Sequence, residues 1–157
     1  MRDGIEFGVN GDGVALLQVN RPASRNALTW AAQEAFADAV SAARRDGSLR
    51  VLIITGSGGT FVSGGDLKEL SRHPEAAAGE RLNRVMSAAL AELAELPCPV
   101  MAAVNGDAVG GGCEILTACD LRLAGVGARF AFRQVYNSLT TGWGGTARLV
   151  ALIGQSR

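Results

Sequence analysis

Aromatic residues make up only 5% of the 157-residue chain, and charge of neither sign prevails, with 15 Lys and Arg against 15 Asp and Glu. A balanced chain offers no basic patch to displace counterions, which argues against a nucleic-acid or anionic-membrane surface. Any anionic ligand must then be held by local geometry. There are three cysteines, Cys98, Cys113 and Cys119, an odd number without CxxC spacing. Neither a disulfide framework nor a zinc site follows from them, and buried thiols in a reducing compartment are the simpler reading. No run approaches the ~18 apolar residues of a membrane span. Met1 to Glu6 carries acids where a secretory signal would be apolar. The expectation is a soluble, cytoplasmic protein with no metal, no membrane contact and no nucleic-acid partner.

What the chain has is apolar content, 48%, and glycine, 21 residues, about twice the ~7% of average usage. A single domain, residues 1–157, is expected, able to bury roughly 70% of the surface its unfolded form exposes. Ile5–Val9 and Val14–Val19 flank Asn10-Gly11-Asp12-Gly13, a strong signal for an antiparallel hairpin. Thr29 reads as the N-cap of a helix to about Arg45, with Leu28, Ala32, Phe36, Ala39, Val40 and Ala43 on one face and Gly47 as its stop. Val51–Thr55 is an unbroken apolar and β-branched run, the pattern of a strand buried on both faces. The alternation continues with a helix from about Glu80 to Leu96, a strand Pro99–Val104, a short helix Cys113–Ala118, strands at Leu121–Ala124 and Arg129–Phe132, and a last helix Gly145–Ile153. Strands alternating with helices specify an α/β architecture with right-handed crossovers.

Ligands of parallel α/β sheets bind where strand ends turn into helices. Two such ends are glycine-rich, Thr55 to Leu67 and Asn105 to Glu114. One reading is a pair of tight turns; the other is exposed backbone N–H donors that a ligand can approach closely. A Walker A loop needs Gly-Lys-Ser/Thr, but the only lysine, Lys68, follows Leu67. No Gly-x-Gly-x-x-Gly opens a helix directly after the first strand. The remaining use of such donors is an oxyanion hole, with Gly65 and Gly111 each expected to begin a helix.

Five segments fall in an order that resembles the enoyl-CoA hydratase/isomerase (crotonase) family. They are Asn20-Arg21-Pro22 with Asn26-Ala27-Leu28, Phe61 to Leu67, Asn105-Gly106 through Gly110-Gly111-Gly112-Cys113-Glu114, Ala118-Cys119-Asp120, and Gly144-Gly145-Thr146 with Arg148-Leu149. The resemblance implies a crotonase-like (ClpP/crotonase) spiral of repeated ββα units, an acyl-coenzyme A thioester as substrate and no separate cofactor, coenzyme A being part of the substrate. It implies oxyanion-hole donors at Gly65 and Gly111, and a substrate pocket lined by Ala27, Ser63, Gly64, Asp66, Leu67 and Lys68. Arg25 and Lys68 become candidates for the coenzyme A phosphates, the alternative for both being solvated surface. Family members continue into a helical segment that covers the acyl pocket and builds a homotrimer or hexamer. That segment is missing here, so an uncovered apolar face is expected.

Hydration of an enoyl double bond needs a group that deprotonates water and a proton source for Cα. The resembled hydratases use two glutamates; Glu114 stands at the first position and Gln134 at the second. A carboxamide does not exchange protons near neutral pH. Glu114 is therefore read as the catalytic acid/base, and Gln134 as positioning water or substrate. The alternative for Glu114 is a carboxylate capping the following helix. Hydratase-type lyase chemistry is the leading expectation. Loss of CO₂ from a malonyl-type thioester, double-bond isomerisation, and acyl-CoA binding without turnover are the alternatives. His73 reads as surface and Asp120 as a buried acid satisfied by backbone N–H groups. Tyr136 and Trp143 either close the acyl pocket or pack in the core.

Overall fold

A computed structural model describes residues 1–73 and 75–156. The hairpin forms as expected: β1 (Ile5–Val9) pairs antiparallel with β2 (Val14–Val19), and Asn10 Oδ1 accepts from the Asp12 and Val14 N–H groups to close the turn. Helix α1 (Trp30–Arg45) starts at Thr29, whose hydroxyl accepts from Ala32 N. Then come β3 (Val51–Gly56), β4 (Thr60–Val62), the single turn α2 (Leu67–Leu70) and α3 (Ala76–Ala94). They are followed by β5 (Val100–Val104), β6 (Asp107–Val109), α4 (Gly111–Thr117), β7 (Leu121–Ala124), β8 (Phe130–Ala131) and α5 (Gly145–Ile153).

Two sheets result. The larger has the order β1-β2-β3-β5-β7, parallel from β2 onward, and the smaller has the order β4-β6-β8, all parallel. A strand of the large sheet, a short strand of the small sheet and a helix repeat three times, ending in α3, α4 and α5. This is the spiral of ββα units that the resemblance implied.

The structure corrects several local expectations. β3 is not buried on both faces: Leu52, Ile54 and Gly56 are buried, whereas Val51, Ile53 and Thr55 are half-buried. One face of the sheet meets the core, where Leu17, Leu52, Ile54 and Ala102 join Phe36 and Val40 of α1 and Leu90 and Leu93 of α3. The glycine clusters are more than turns, since β4 and β6 lie within them. Gly65 does not begin a helix; it bridges to Leu28, and α2 starts two residues later under a cap from Asp66 Oδ1. α3 begins at Ala76, four residues before the expected start. Asp120 accepts the Val100 N–H at 2.7 Å as expected, yet it is exposed. β7 is exposed along its whole length, and Leu121, Leu123, Phe130, Val135 and Leu152 are exposed apolar side chains of the C-terminal third.

All three cysteines are buried and free. Burial pushes the Cys113 thiol up to about 11 and the Cys119 thiol up to about 12, so both stay protonated and unreactive near neutral pH.

Candidate active site

The site is assembled from the turns that join the two sheets, and two asparagines, Asn26 buried and Asn105 exposed, fix those turns. Asn26, fully buried and held at φ +57°, donates from Nδ2 to the carbonyls of Ser57 (2.9 Å) and Thr60 (2.7 Å), while its Oδ1 accepts from Arg21 N at 2.8 Å. Asn105 does the same one repeat later, donating to the Gly58 carbonyl at 2.8 Å and accepting from Gly56 N at 3.1 Å. The loop before α1 is thereby tied to the end of β3, and Leu28 N donates to the Gly64 carbonyl at 2.8 Å.

Gly64 sits at φ +98°, a conformation costly for other residues. A Cβ placed there would lie 3.0 Å from Gly111 N, which measures how closely the first glycine turn approaches the second. Among the described residues, neither the Gly65 N–H nor the Gly111 N–H donates to a protein acceptor. Both glycines line a single cavity of about 940 Å³. Gly111 also lies under the Trp143 indole, where any added Cβ would overlap the ring.

Glu114 stands one turn into α4 and is buried, 2% exposed. Its carboxylate does not cap its own helix. Oε2 accepts from Trp143 N at 2.8 Å and Gly145 N at 2.9 Å, and Oε1 accepts from Gln134 Nε2 at 3.0 Å. A carboxylate oxygen has two lone-pair directions; those of Oε2 are both used, so Oε1 is the oxygen with acceptor capacity left. Gln134 Oε1 is buried and has no hydrogen-bond partner, an acceptor that a water or ligand donor would satisfy. Arg148 braces the loop from behind, donating to Trp143 O at 2.5 Å and Thr117 Oγ1 at 3.1 Å.

Every site residue read from the sequence lines the same cavity. Gly65, Gly111, Glu114 and Gln134 meet along it. Arg25, Ala27, Ser63 and Gly64 form part of its wall, as do Asp66, Leu67 and Lys68. Arg25 and Lys68 are exposed, and the Asp66 carboxylate is engaged in capping α2 and faces Arg21 at 3.8 Å. Trp143 is buried and lines the cavity, whereas Tyr136 is 80% exposed and lies outside it. His73 is at the cavity edge, 3.2 Å from Glu75 Oε1 and stacked near Trp30. Sequence reasoning missed the backbone donors of Trp143 and Gly145, and also Arg133, Asn83, Asn137 and Thr140, which line the cavity too. The Gly144-Gly145-Thr146 segment was the available signal, though backbone donors carry no residue signature of their own.

Two uncommitted N–H donors beside a buried carboxylate suit an acyl group whose carbonyl oxygen gains charge while a proton moves nearby. Among the described residues, no cluster of metal-ligating side chains occurs and no helix is long and apolar enough to cross a membrane. The fold and the site together define a crotonase-fold enzyme class. A family model described as "Enoyl-CoA hydratase/isomerase" matches residues 10–157, and the chain belongs to that family. It is 40% identical to the 2,3-dehydroadipyl-CoA hydratase of Escherichia coli over 91% of this chain and 55% of that protein. It is 39% identical to the crotonyl-CoA hydratase of Syntrophomonas wolfei over 90% of this chain and 54% of that protein. The crystal structure of an enoyl-CoA hydratase from Mycobacterium smegmatis superimposes with a TM-score of 0.91 at 31% identity, over 97% of this chain and 59% of the other. The chain spans about half the length of the curated relatives it matches.

Proposed function

We propose that the protein is a hydratase-type lyase acting on 2-enoyl-CoA thioesters. The observation that carries this is the meeting, in one cavity, of the uncommitted Gly65 and Gly111 N–H groups with the Glu114–Gln134 pair. The thioester carbonyl oxygen takes the two N–H donors, which stabilise the enolate as charge develops there. A water donates one hydrogen to Glu114 Oε1, which Gln134 Nε2 steadies, and presents a lone pair to C3. Glu114 accepts the proton as the C3–O bond forms, and the electron pair of the double bond moves into the enolate. The same carboxyl group then returns the proton to C2. Arg25 and Lys68 attract the coenzyme A phosphates at the exposed rim. The reading includes a soluble, cytoplasmic protein that needs no further cofactor, with the homotrimer or hexamer that the family resemblance implies.

A second reading is favoured by Gln134. Decarboxylation of a malonyl-type thioester needs the same enolate stabilisation but a single proton delivered afterwards, which Glu114 alone suffices to provide. Turnover of crotonyl-CoA and of a malonyl-type thioester, measured alongside a coenzyme A ester titration, separates these readings. Hydration of crotonyl-CoA supports the first and CO₂ release the second. Tight binding with neither reaction refutes both and leaves an acyl-CoA binder.

A further inference from the structure

The stretch that grips Glu114 Oε2 has little of its own to hold it. Gly142, Gly144 and Gly145 surround Trp143, and Gly144 sits at φ +78°, so the backbone on either side of the indole can swing unless something outside ties it. Arg148, one turn into α5, is that tie. Its Nη2 donates to the Trp143 carbonyl at 2.5 Å and its Nε to Thr117 Oγ1 at 3.1 Å, and the Thr117 hydroxyl donates to the Glu114 carbonyl at 2.7 Å. The Trp143 N–H then returns to Glu114 Oε2 at 2.8 Å. The ring runs from the main chain of Glu114, through two side chains and a loop, back to its own carboxylate.

Both acceptors of Arg148 are neutral, and among the described residues no carboxylate lies within ion-pair distance of it. A half-buried guanidinium without an ion-pair partner costs stability, so packing alone explains it poorly. Burial lowers its affinity for the proton, and the Glu114 charge opposes that. Arg148 lies outside the residues that line the cavity.

We propose that Arg148 is a positioning residue for the reaction: by fixing the Trp143 carbonyl against Thr117, it sets where the Trp143 and Gly145 N–H groups meet Glu114 and so aims Oε1 at the substrate. The inference rests on the acyl-CoA reading above, in which Glu114 moves the proton. Removing the tie disturbs the orientation of the acid and leaves substrate binding alone. A misplacement of about 1 Å costs on the order of 10²-fold in rate. Lysine carries the charge but not the fork that spans both acceptors.

The test measures kcat and KM for crotonyl-CoA in the unaltered protein, in Arg148→Met and in Arg148→Lys, with Arg148→Met also combined with Glu114→Gln. In Arg148→Met, kcat is expected to fall by about 10–10²-fold with KM within about twofold, and in Arg148→Lys it falls less. On the Glu114→Gln background, Arg148→Met adds less than about threefold, because the group it orients is already gone. Hydrogen exchange of the Trp143 and Gly145 amides quickens in Arg148→Met, while β2, β3 and β5 stay protected. A KM that rises as kcat falls, an equal proportional loss on both backgrounds, or protection lost across the large sheet means general damage and overturns the proposal. An unchanged kcat in Arg148→Met overturns it too, and hydration by the unaltered protein spares the acyl-CoA reading in each of these cases. No hydration by the unaltered protein overturns the reading and the inference together.

Discussion

Replacing Glu114 by Gln separates chemistry from structure, because the local hydrogen bonds can be followed atom by atom. The carboxylate accepts three N–H groups, from Trp143, Gly145 and Gln134. In Glu114→Gln, the amide oxygen facing Trp143 and Gly145 keeps both backbone donors. Its new NH₂ then faces Gln134, whose buried and unpartnered Oε1 accepts from it after that amide turns over. The flip carries the Gln134 NH₂ to the buried position where Oε1 had no partner, so one buried donor group is left unpaired and its desolvation adds to the cost of the weaker bonds. A hydrogen bond to a charged group contributes about 2 kcal/mol and a neutral one about 1; three weakened bonds and one unpaired buried donor therefore cost about 4–5 kcal/mol. For a chain of this size that lowers the thermal midpoint by about 8–20 °C, a substantial part of a typical 5–15 kcal/mol stability. The rate should fall by about 10²–10⁴-fold, because the amide neither takes the proton from water nor returns it. Hydration of crotonyl-CoA, followed by loss of the conjugated thioester absorbance, reads the rate; calorimetric titration with a coenzyme A ester checks that binding persists. Turnover close to that of the unaltered protein would refute the assignment of Glu114.

Gln134→Glu places a second carboxyl beside Glu114, and two carboxyls in contact share one proton at neutral pH. Hydration of crotonyl-CoA should rise by about tenfold or more, and a fall in hydration would show that the carboxamide is itself required. Asn26→Ala removes the side chain that ties three segments together and puts a Cβ without local hydrogen bonding at φ +57°. A destabilisation of about 3 kcal/mol is expected in denaturant unfolding, and a value below about 1 kcal/mol would sink the role given to Asn26. For Cys119, folding raises the thiol from its ordinary 9.0 to about 12, so the folded state favours the protonated form. The resulting stability is whole below about 9 and is lost as pH climbs from there toward about 12. Accordingly Cys113 and Cys119 should resist a thiol reagent at pH 8 until denaturant is added, and prompt labelling of both in the native protein would contradict their burial.

The large sheet was legible because its strands are apolar runs between helices of clear period. The run Val51–Thr55 misled on one point, since an unbroken apolar stretch hides the alternation that only one buried face requires. Of the small sheet only β8 was legible, within the expected strand Arg129–Phe132. Strands β4 and β6 are three residues long and lie among glycines. What keeps the turns around them in place is Asn26 and Asn105 reaching backbone carbonyls more than thirty residues away in sequence, a tertiary effect no local propensity reports. Glu114 and Gln134 stood out through the family pattern and through the departure from it. How Glu114 is held did not, because its partners Trp143 and Gly145 act through main-chain N–H groups.

The repeat explains why the site depends on parts of the chain that carry no reactive side chain. The first ββα unit brings Gly65, the second brings Gly111 and Glu114, and the stretch from β8 to α5 brings Gln134, Trp143 and Gly145. Each contribution sits on a turn between the sheets, so stacking the units in register also stacks the donors. Gly64 against Gly111 N fixes the spacing of the first two. The third grips Glu114 Oε2 with two N–H groups at the start of α5, and the Arg148 side chain in turn holds that loop. Orientation of the acid is thus set by α5, whose other face leaves Val150, Leu152 and Ile153 exposed. A partner surface that covers these side chains would order α5, and through it the carboxylate, without touching the substrate. If the proposed homo-oligomer covers this face, variants that charge it, such as Leu152→Glu, should lower kcat through Glu114 while leaving the core strands protected in hydrogen exchange.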